Sequence, residues 1–171
     1  MIKDTDIPIT DNTMYRLDIY RLLTLLLADK QIANNAVFKD LGNDNFDNEV
    51  NRLLILVAAI TRQLLDNTDN KLKDRKCGDF WHNYPIENNP AELKLHQACS
   101  MIIHATDIVI KPLDYYYSEE GKQVNINKEG PELYFQNKVT VRGKKKERAD
   151  IDLRKFAQHC IELSNEIIKG D

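Results

Sequence analysis

The stretch His96-Gln97-Ala98-Cys99-Ser100-Met101-Ile102-Ile103-His104-Ala105 carries two imidazoles, a thiol and a hydroxyl within one amphipathic segment, with His104 close to its end. An imidazole, with an unperturbed pKa of ~6.5, can shuttle a proton near neutral pH, as metal-independent cleavage of RNA requires. The charge that develops on the phosphorus also needs a cation or backbone donors beside it. Arg52 and Arg62, on the preceding helical segment, could supply that cation if the two helices pack antiparallel. A plain structural role fits His104 as well, since a helix C-terminus favours a positive imidazole.

Three further groups of residues bear on chemistry. Cys77 and His82, with His96 and Cys99, offer two thiolates and two imidazoles, and His96 and Cys99 share a helix face. Zinc accepts such a set in a tetrahedron, yet the compact CxxC pairs of structural zinc sites are missing and Cys99 falls on the apolar stripe. No metal and no cofactor is therefore assigned. The turn Arg142-Gly143-Lys144-Lys145-Lys146, with Arg148 beyond it, could touch a phosphate backbone and add salt-dependent affinity. Read instead as a solvated turn, its lysines protect an edge strand and Gly143 supplies a positive φ. Tyr115 to Tyr117 and Tyr134-Phe135 invite base stacking, but consecutive strand residues point to opposite faces, which favours core packing plus one exposed patch. A Gly-rich phosphate loop and the GxSxG, HExxH and Walker patterns are all missing from the sequence, so the corresponding enzyme classes have no support.

The His104 helix resembles the HEPN superfamily, whose active members place an Arg, often followed by a polar residue, a few positions before such a His. Here the Arg would stand at Gln97, Ala98 or Cys99, and none is Arg; Ser100 occupies the place of the polar residue. The resemblance covers this helix in part and the helical bundle loosely. It implies a binding or assembly module of a prokaryotic defence, toxin–antitoxin or RNA-related system, with the missing Arg pointing to binding rather than cleavage. The alternative it implies is a metal-independent ribonuclease using His104, with the Arg drawn from another helix or subunit, so enzymatic activity is left open. It also implies a homodimer in which His104 and Ser100, four residues apart on one helix face, line an intersubunit groove. Ser100, Arg142, Lys144, Lys145 and Lys146 are then the candidate contacts for an RNA or protein partner, and His104 the candidate catalytic residue.

The elements that must position these groups are read from composition and period. The 171 residues, 42% hydrophobic and 30% charged, suit one globular domain able to bury a core. Six Gly and five Pro exclude collagen-like and low-complexity classes. The net charge of −3 does not announce a nucleic-acid binder, although a local basic patch is compatible with it. Cys77, Cys99 and Cys160 are odd in number and widely spaced, which predicts buried free thiols in a reducing cytoplasm. Met1 to Thr10 carries Asp4 and Asp6 with no basic stretch before an apolar one, so no secretory signal is expected, and the chain is assigned to the cytoplasm. Its longest apolar run, Leu53 to Ile60, is eight residues, far short of a membrane span.

Thr10 to Asn12 precede a predicted helix from Thr13 whose apolar members include Met14, Leu17, Ile19, Tyr20, Leu22 and Leu23. It is expected to fray from Ile32 and stop at Gly42, a natural left-handed residue. Asn43 to Asn45 then cap a second helix, Asp47 to Asp66, with Val50, Leu53, Leu54, Val57, Ile60, Thr61 and Leu64 on its core face. Asn67 to Asn89 reads as a long polar connection in which Phe80, Trp81 and Tyr84 cap the core. Asn89-Pro90-Ala91-Glu92 has the form of a helix start, opening a third helix to about Ala105. After Thr106 the period becomes that of strands, at Ile108 to Ile110, Tyr115 to Tyr117, Leu133 to Arg142 and Ala149 to Ile151, with a turn at Glu119 to Lys122. Asp152 caps a last helix, Leu153 to Lys169, whose stripe is Phe156, Cys160, Leu163 and Ile167. The predicted fold is α+β and mainly α: one domain over residues 1–171, with a helical core at 11–105 and 153–169. A small antiparallel sheet, at about 107–152, is inserted before the C-terminal helix.

Overall fold

The computed structural model of the chain describes residues 12–26, 39–67, 71–86, 89–112, 115–117, 123–125 and 135–170. Its helices are α1 (Asn12–Leu26), α2 (Lys39–Asn67), α3 (Leu95–Ile103) and α4 (Leu153–Gly170), with a 3-10 turn at Lys71–Asp74. Its strands are β1 (Lys76–Trp81), β2 (Ala91–Lys94), β3 (Asp107–Pro112), β4 (Tyr115–Tyr117), β5 (Gln123–Asn125), β6 (Phe135–Arg142) and β7 (Arg148–Asp152). Five of them form one antiparallel sheet in the order β2-β1-β7-β6-β3, while β4 and β5 pair separately. α3 and α4 lie against the sheet, and α1 and α2 pack on these two helices. The fold is thus α+β, with an antiparallel sheet and the C-terminal helix following its last strand, as the sequence predicts.

Alternation builds the sheet's inner face. Cys77 and Phe80 of β1, Val139 and Val141 of β6 and Ala149 and Ile151 of β7 are buried against Leu95, Ala98, Cys99 and Ile102 of α3 and Phe156 and Cys160 of α4. Asp152 ends β7 and starts α4, its Oδ1 accepting the backbone N–H of Arg154 and of Lys155, each at 3.2 Å. That is the cap expected of it. α1 buries Tyr15, Asp18, Ile19 and Leu22 and exposes Met14 and Tyr20, so its first half is amphipathic. Tyr15 carries the core contact, its hydroxyl lying 2.7 Å from Thr61 Oγ1 of α2.

Four expectations are corrected. Gly42 does not stop a helix; it lies within α2, as do Asn43 to Asn45. One interior Gly costs a helix about 1 kcal/mol, less than the burial of Val50, Leu53, Leu54, Val57 and Ala58 along this helix gains. The polar connection contains β1, a strand paired on both sides. Asn89 to Glu92 opens no helix: Ala91–Lys94 pairs with β1, and α3 begins at Leu95 behind Lys94, whose side chain makes no capping bond. A local cap is worth about 1 kcal/mol, and the pairing, together with full burial of Leu93, outweighs it. The sheet therefore draws on residues 76–81 and 91–94 as well as on the segment after Thr106. The turn at Glu119 to Lys122, Thr10 and Asp11 before the first helix, Leu133, Tyr134 and the stretch around Ile32 lie outside the described residues. No helix among the described residues is long and apolar enough to cross a membrane.

β1 can enter the sheet because it has no side chain at position 78. Gly78 faces Ile151 across the β1–β7 pair, and a Cβ there would overlap the Asp150 carbonyl and stand 3.1 Å from Ile151 Cα. Gly78→Ala should lower the unfolding free energy by about 1–3 kcal/mol, the usual range for forcing extra atoms into packed structure. Glu92→Ala, on the exposed edge strand, should stay within about 0.5 kcal/mol. Urea denaturation of both variants checks this, and equal effects would count against a limiting contact at Gly78.

Candidate functional site

The β6–β7 hairpin presents the basic turn. Its base is closed by the Gly143 N–H donating to the Glu147 carbonyl at 2.9 Å, with Lys144, Lys145 and Lys146 as the loop between them. Lys146 has φ of 60°, the left-handed conformation that hairpin loops of this length usually assign to Gly. The positive φ expected at Gly143 is therefore at Lys146 instead, where the chain turns into β7. Gly143 is needed for space: a Cβ would stand 2.7 Å from Glu147 Oε2 and 3.5 Å from Met101 Cε.

The end of α3 is tied to this hairpin. Thr106 donates both its backbone N–H (2.9 Å) and its hydroxyl (3.0 Å) to the Arg142 carbonyl. His104 sits just before that tie, at the C-cap, where φ −104° and ψ 15° take the chain out of helical geometry. Its backbone N–H donates to the Ser100 carbonyl at 3.1 Å and its side chain is exposed. An open groove of about 580 Å³ follows, lined by Met101, Ile103, His104 and Ala105 on one wall and Gly143, Lys144, Lys145 and Glu147 on the other. The structure thus joins an imidazole to two ammonium groups from residues about forty apart in sequence. No ion pair of Lys144, Lys145 or Lys146 occurs among the described residues, and Glu147 is the one carboxylate lining this groove there. Such a site suits an anion.

The other candidates are elsewhere. Ser100 is half-buried against α2, accepting a hydrogen bond from Arg62 Nη1 and donating to the His96 carbonyl at 3.2 Å. It is turned to Arg62 of α2 and does not line the groove of His104. Arg142 pairs with Asp107 at 3.5 Å. Arg148 is clasped by Asp150, Nε to Oδ1 at 2.9 Å and Nη2 to Oδ2 at 2.7 Å, and its guanidinium lies over the rings of Tyr84 (4.5 Å) and Trp81 (5.2 Å). Arg52 is exposed and bidentate on Glu49.

Sequence reasoning missed one constellation. Arg62 Nε donates to Asp66 Oδ2 at 2.8 Å, and His96 Nε2 lies 3.1 Å from Asp66 Oδ1. The guanidinium first, and the imidazole with it, hold the Asp66 carboxyl below its ordinary range. The group borders a second groove of about 580 Å³, where Lys94 also pairs with Asp74 at 2.9 Å. Its only sequence trace is the four-residue spacing of Arg62 with Asp66 and of His96 with Ser100; the packing of α2 on α3 makes it one cluster.

No family model, curated protein or solved structure gives a significant match to this chain.

The zinc set is not assembled. Cys77 Sγ donates to the Leu93 carbonyl at 3.6 Å, Cys99 is buried in the core, His82 stacks edge-on against Phe80, and His96 is on Asp66. Among the described residues no three His, Cys, Asp or Glu side chains converge as a metal site. The three cysteines are free and buried, and burial pushes Cys77 up to about 12 and Cys160 up to about 11 from an ordinary 9.0. Cys99 is pushed up by burial as well.

Two outcomes follow. The raised thiols contribute stability that is fully present below the unfolded thiol pKa and lost as pH rises through the folded values. Urea-unfolding free energy should therefore fall between about pH 9 and 12, and at about pH 8 a disulfide reagent should find no thiol until urea unfolds the chain. Lys146→Gly should relieve the left-handed strain and raise stability by about 1 kcal/mol, a Tm rise of about 2–4 °C, whereas Lys146→Val should lower it. Calorimetry of the two variants reads both shifts.

Proposed function

We propose that this chain is a HEPN-like, non-catalytic binding module of a prokaryotic RNA-related system that takes an RNA phosphate backbone along the groove of His104, Lys144 and Lys145. The observation that carries the reading is the convergence of these three side chains on one open groove. Each lysine contact with a phosphate releases condensed counterions, so affinity comes without sequence information and weakens with salt. Binding rather than cleavage is favoured by the place of Arg62. This guanidinium, the cation offered for His104, is engaged by Asp66 and Ser100 instead, so within the protomer it does not stand ready to meet charge developing at the His104 groove. Assembly as a homodimer about the α3 end would place two such grooves side by side, and sedimentation of the purified chain reads that part separately.

Fluorescence anisotropy with a labelled single-stranded RNA tests the binding. Wild type should bind with a negative slope of log affinity against log salt. The double variant Lys144→Ala, Lys145→Ala should bind more weakly, with the slope shallower by about 1.4, two single-strand phosphate contacts at about 0.7 each. Absence of binding at low salt would overturn the reading. RNA that is cleaved by wild type and left intact by His104→Ala would overturn its non-catalytic part in favour of a ribonuclease.

A further inference from the structure

We infer that the surface continues from the lysine loop onto Tyr84, and that a base of single-stranded nucleic acid stacks there; this rests on the phosphate-binding reading above. The Tyr84 N–H donates to the Lys146 carbonyl at 2.9 Å, which fixes the Tyr84 backbone at the end of the lysine loop. Tyr84 is held from within the protein: the Arg148 guanidinium lies 4.5 Å from its ring centre, and the Trp81 ring meets it edge-on at 6.4 Å and 76°. Arg148 is itself immobilised by the two-point contact with Asp150, whose Oδ1 also accepts the Thr140 hydroxyl at 2.9 Å. Despite this support Tyr84 is 38% exposed, and Ile86, at the far end of the turn closed by its own N–H on the Asn83 carbonyl, is 69% exposed.

A folded protein gains little from holding a large aromatic rigid at its surface. A ligand gains more, because a side chain already ordered loses no further rotamer freedom on binding. The chemistry of that ligand is set by the neighbours. An exposed aromatic whose backbone is bonded to the end of a lysine loop matches a chain that alternates flat bases with phosphates, the pairing that sequence-tolerant single-strand binders use. In a duplex the base faces are covered by their neighbours, so the platform acts on unpaired bases. An acidic peptide would meet the lysines but has no flat group at each charge to meet Tyr84.

The test compares two strands of about ten nucleotides, within the site sizes of such platforms, one bearing adenines and one abasic, with the same number of phosphates. Wild type should bind the adenine strand about tenfold more tightly, the worth of one stacked base. Tyr84→Ala should lose that preference while keeping its affinity for the abasic strand, and Tyr84→Phe should retain it. Equal affinity of wild type for both strands overturns the stacking inference and leaves the phosphate reading standing, a result that needs no variant to fold. Binding of neither strand overturns both. Displacement of the adenine strand by polyglutamate at matched charge as readily as by the abasic strand, with no preference for bases, overturns it in favour of an acidic peptide partner.

Discussion

The close approach of β1 to β7 at Gly78 is the constraint on which the rest of the molecule depends. Between these strands the backbone of one fills the space where a Cβ of the other would be. With β1 seated there, its other edge is free to pair with Ala91–Lys94, and that pairing delays the helix start to Leu95. The Leu95 N–H then donates to the Arg75 carbonyl at 2.9 Å, so α3 begins at the same corner from which β1 departs. From that start, the length of α3 decides where His104 emerges. A helix begun five residues earlier, as the Asn89 cap suggests, would leave residues 91–94 out of the sheet. The groove is thus a consequence of strand pairing some distance from it.

A buried polar cluster fixes the helices around this sheet. Tyr15 of α1, Thr61 of α2 and Cys160 of α4 meet in the core, Thr61 Oγ1 lying 2.6 Å from the Val57 carbonyl, 2.7 Å from the Tyr15 hydroxyl and 3.3 Å from Cys160 Sγ. Since an unpaired buried hydroxyl costs more than a paired one returns, the three helices can meet in few other arrangements without loss. Nearby, Asn12 and Arg16 bond Ser164 and Asn165 across the α1–α4 contact, extending the same interaction to the surface. α2 is thereby held where Arg62 reaches Ser100, which commits that guanidinium to the α2–α3 interface.

Charge is sorted by this arrangement rather than by composition. The chain is acidic overall, yet the hairpin loop gathers three lysines that make no ion pair among the described residues, while Arg142 and Arg148 at its base are paired with Asp107 and Asp150. The paired cations position the turn. Arg148 does more than neutralise Asp150: by lying under Tyr84 it links the sheet to the turn that follows β1.

Much of the fold was legible because it is local. Amphipathic spacing marked the core face of α2 and the stripe of α4, Asp152 announced its cap, and β-branched runs marked β3 and the β6–β7 hairpin; each signal lies within a few residues and needs no partner. The strand at Lys76–Trp81 was not legible, since Gly78 and Asp79 have poor strand propensity and only the strands on either side make the segment extended. Of the site, the sequence identified His104 and the lysine turn as separate possibilities, and grouped Ser100 with His104 through the family resemblance and their four-residue spacing. Their assignment to different surfaces, the capture of Arg62 by Asp66 and Ser100, and the support of Tyr84 by Arg148 and Trp81 are contacts between residues far apart along the chain. By itself, then, the sequence determined which side chains were available and which local segments would be helical or extended. The tertiary structure decided which of them share a surface, because that depends on how far apart backbones can be closed together, and here it turned on one missing Cβ.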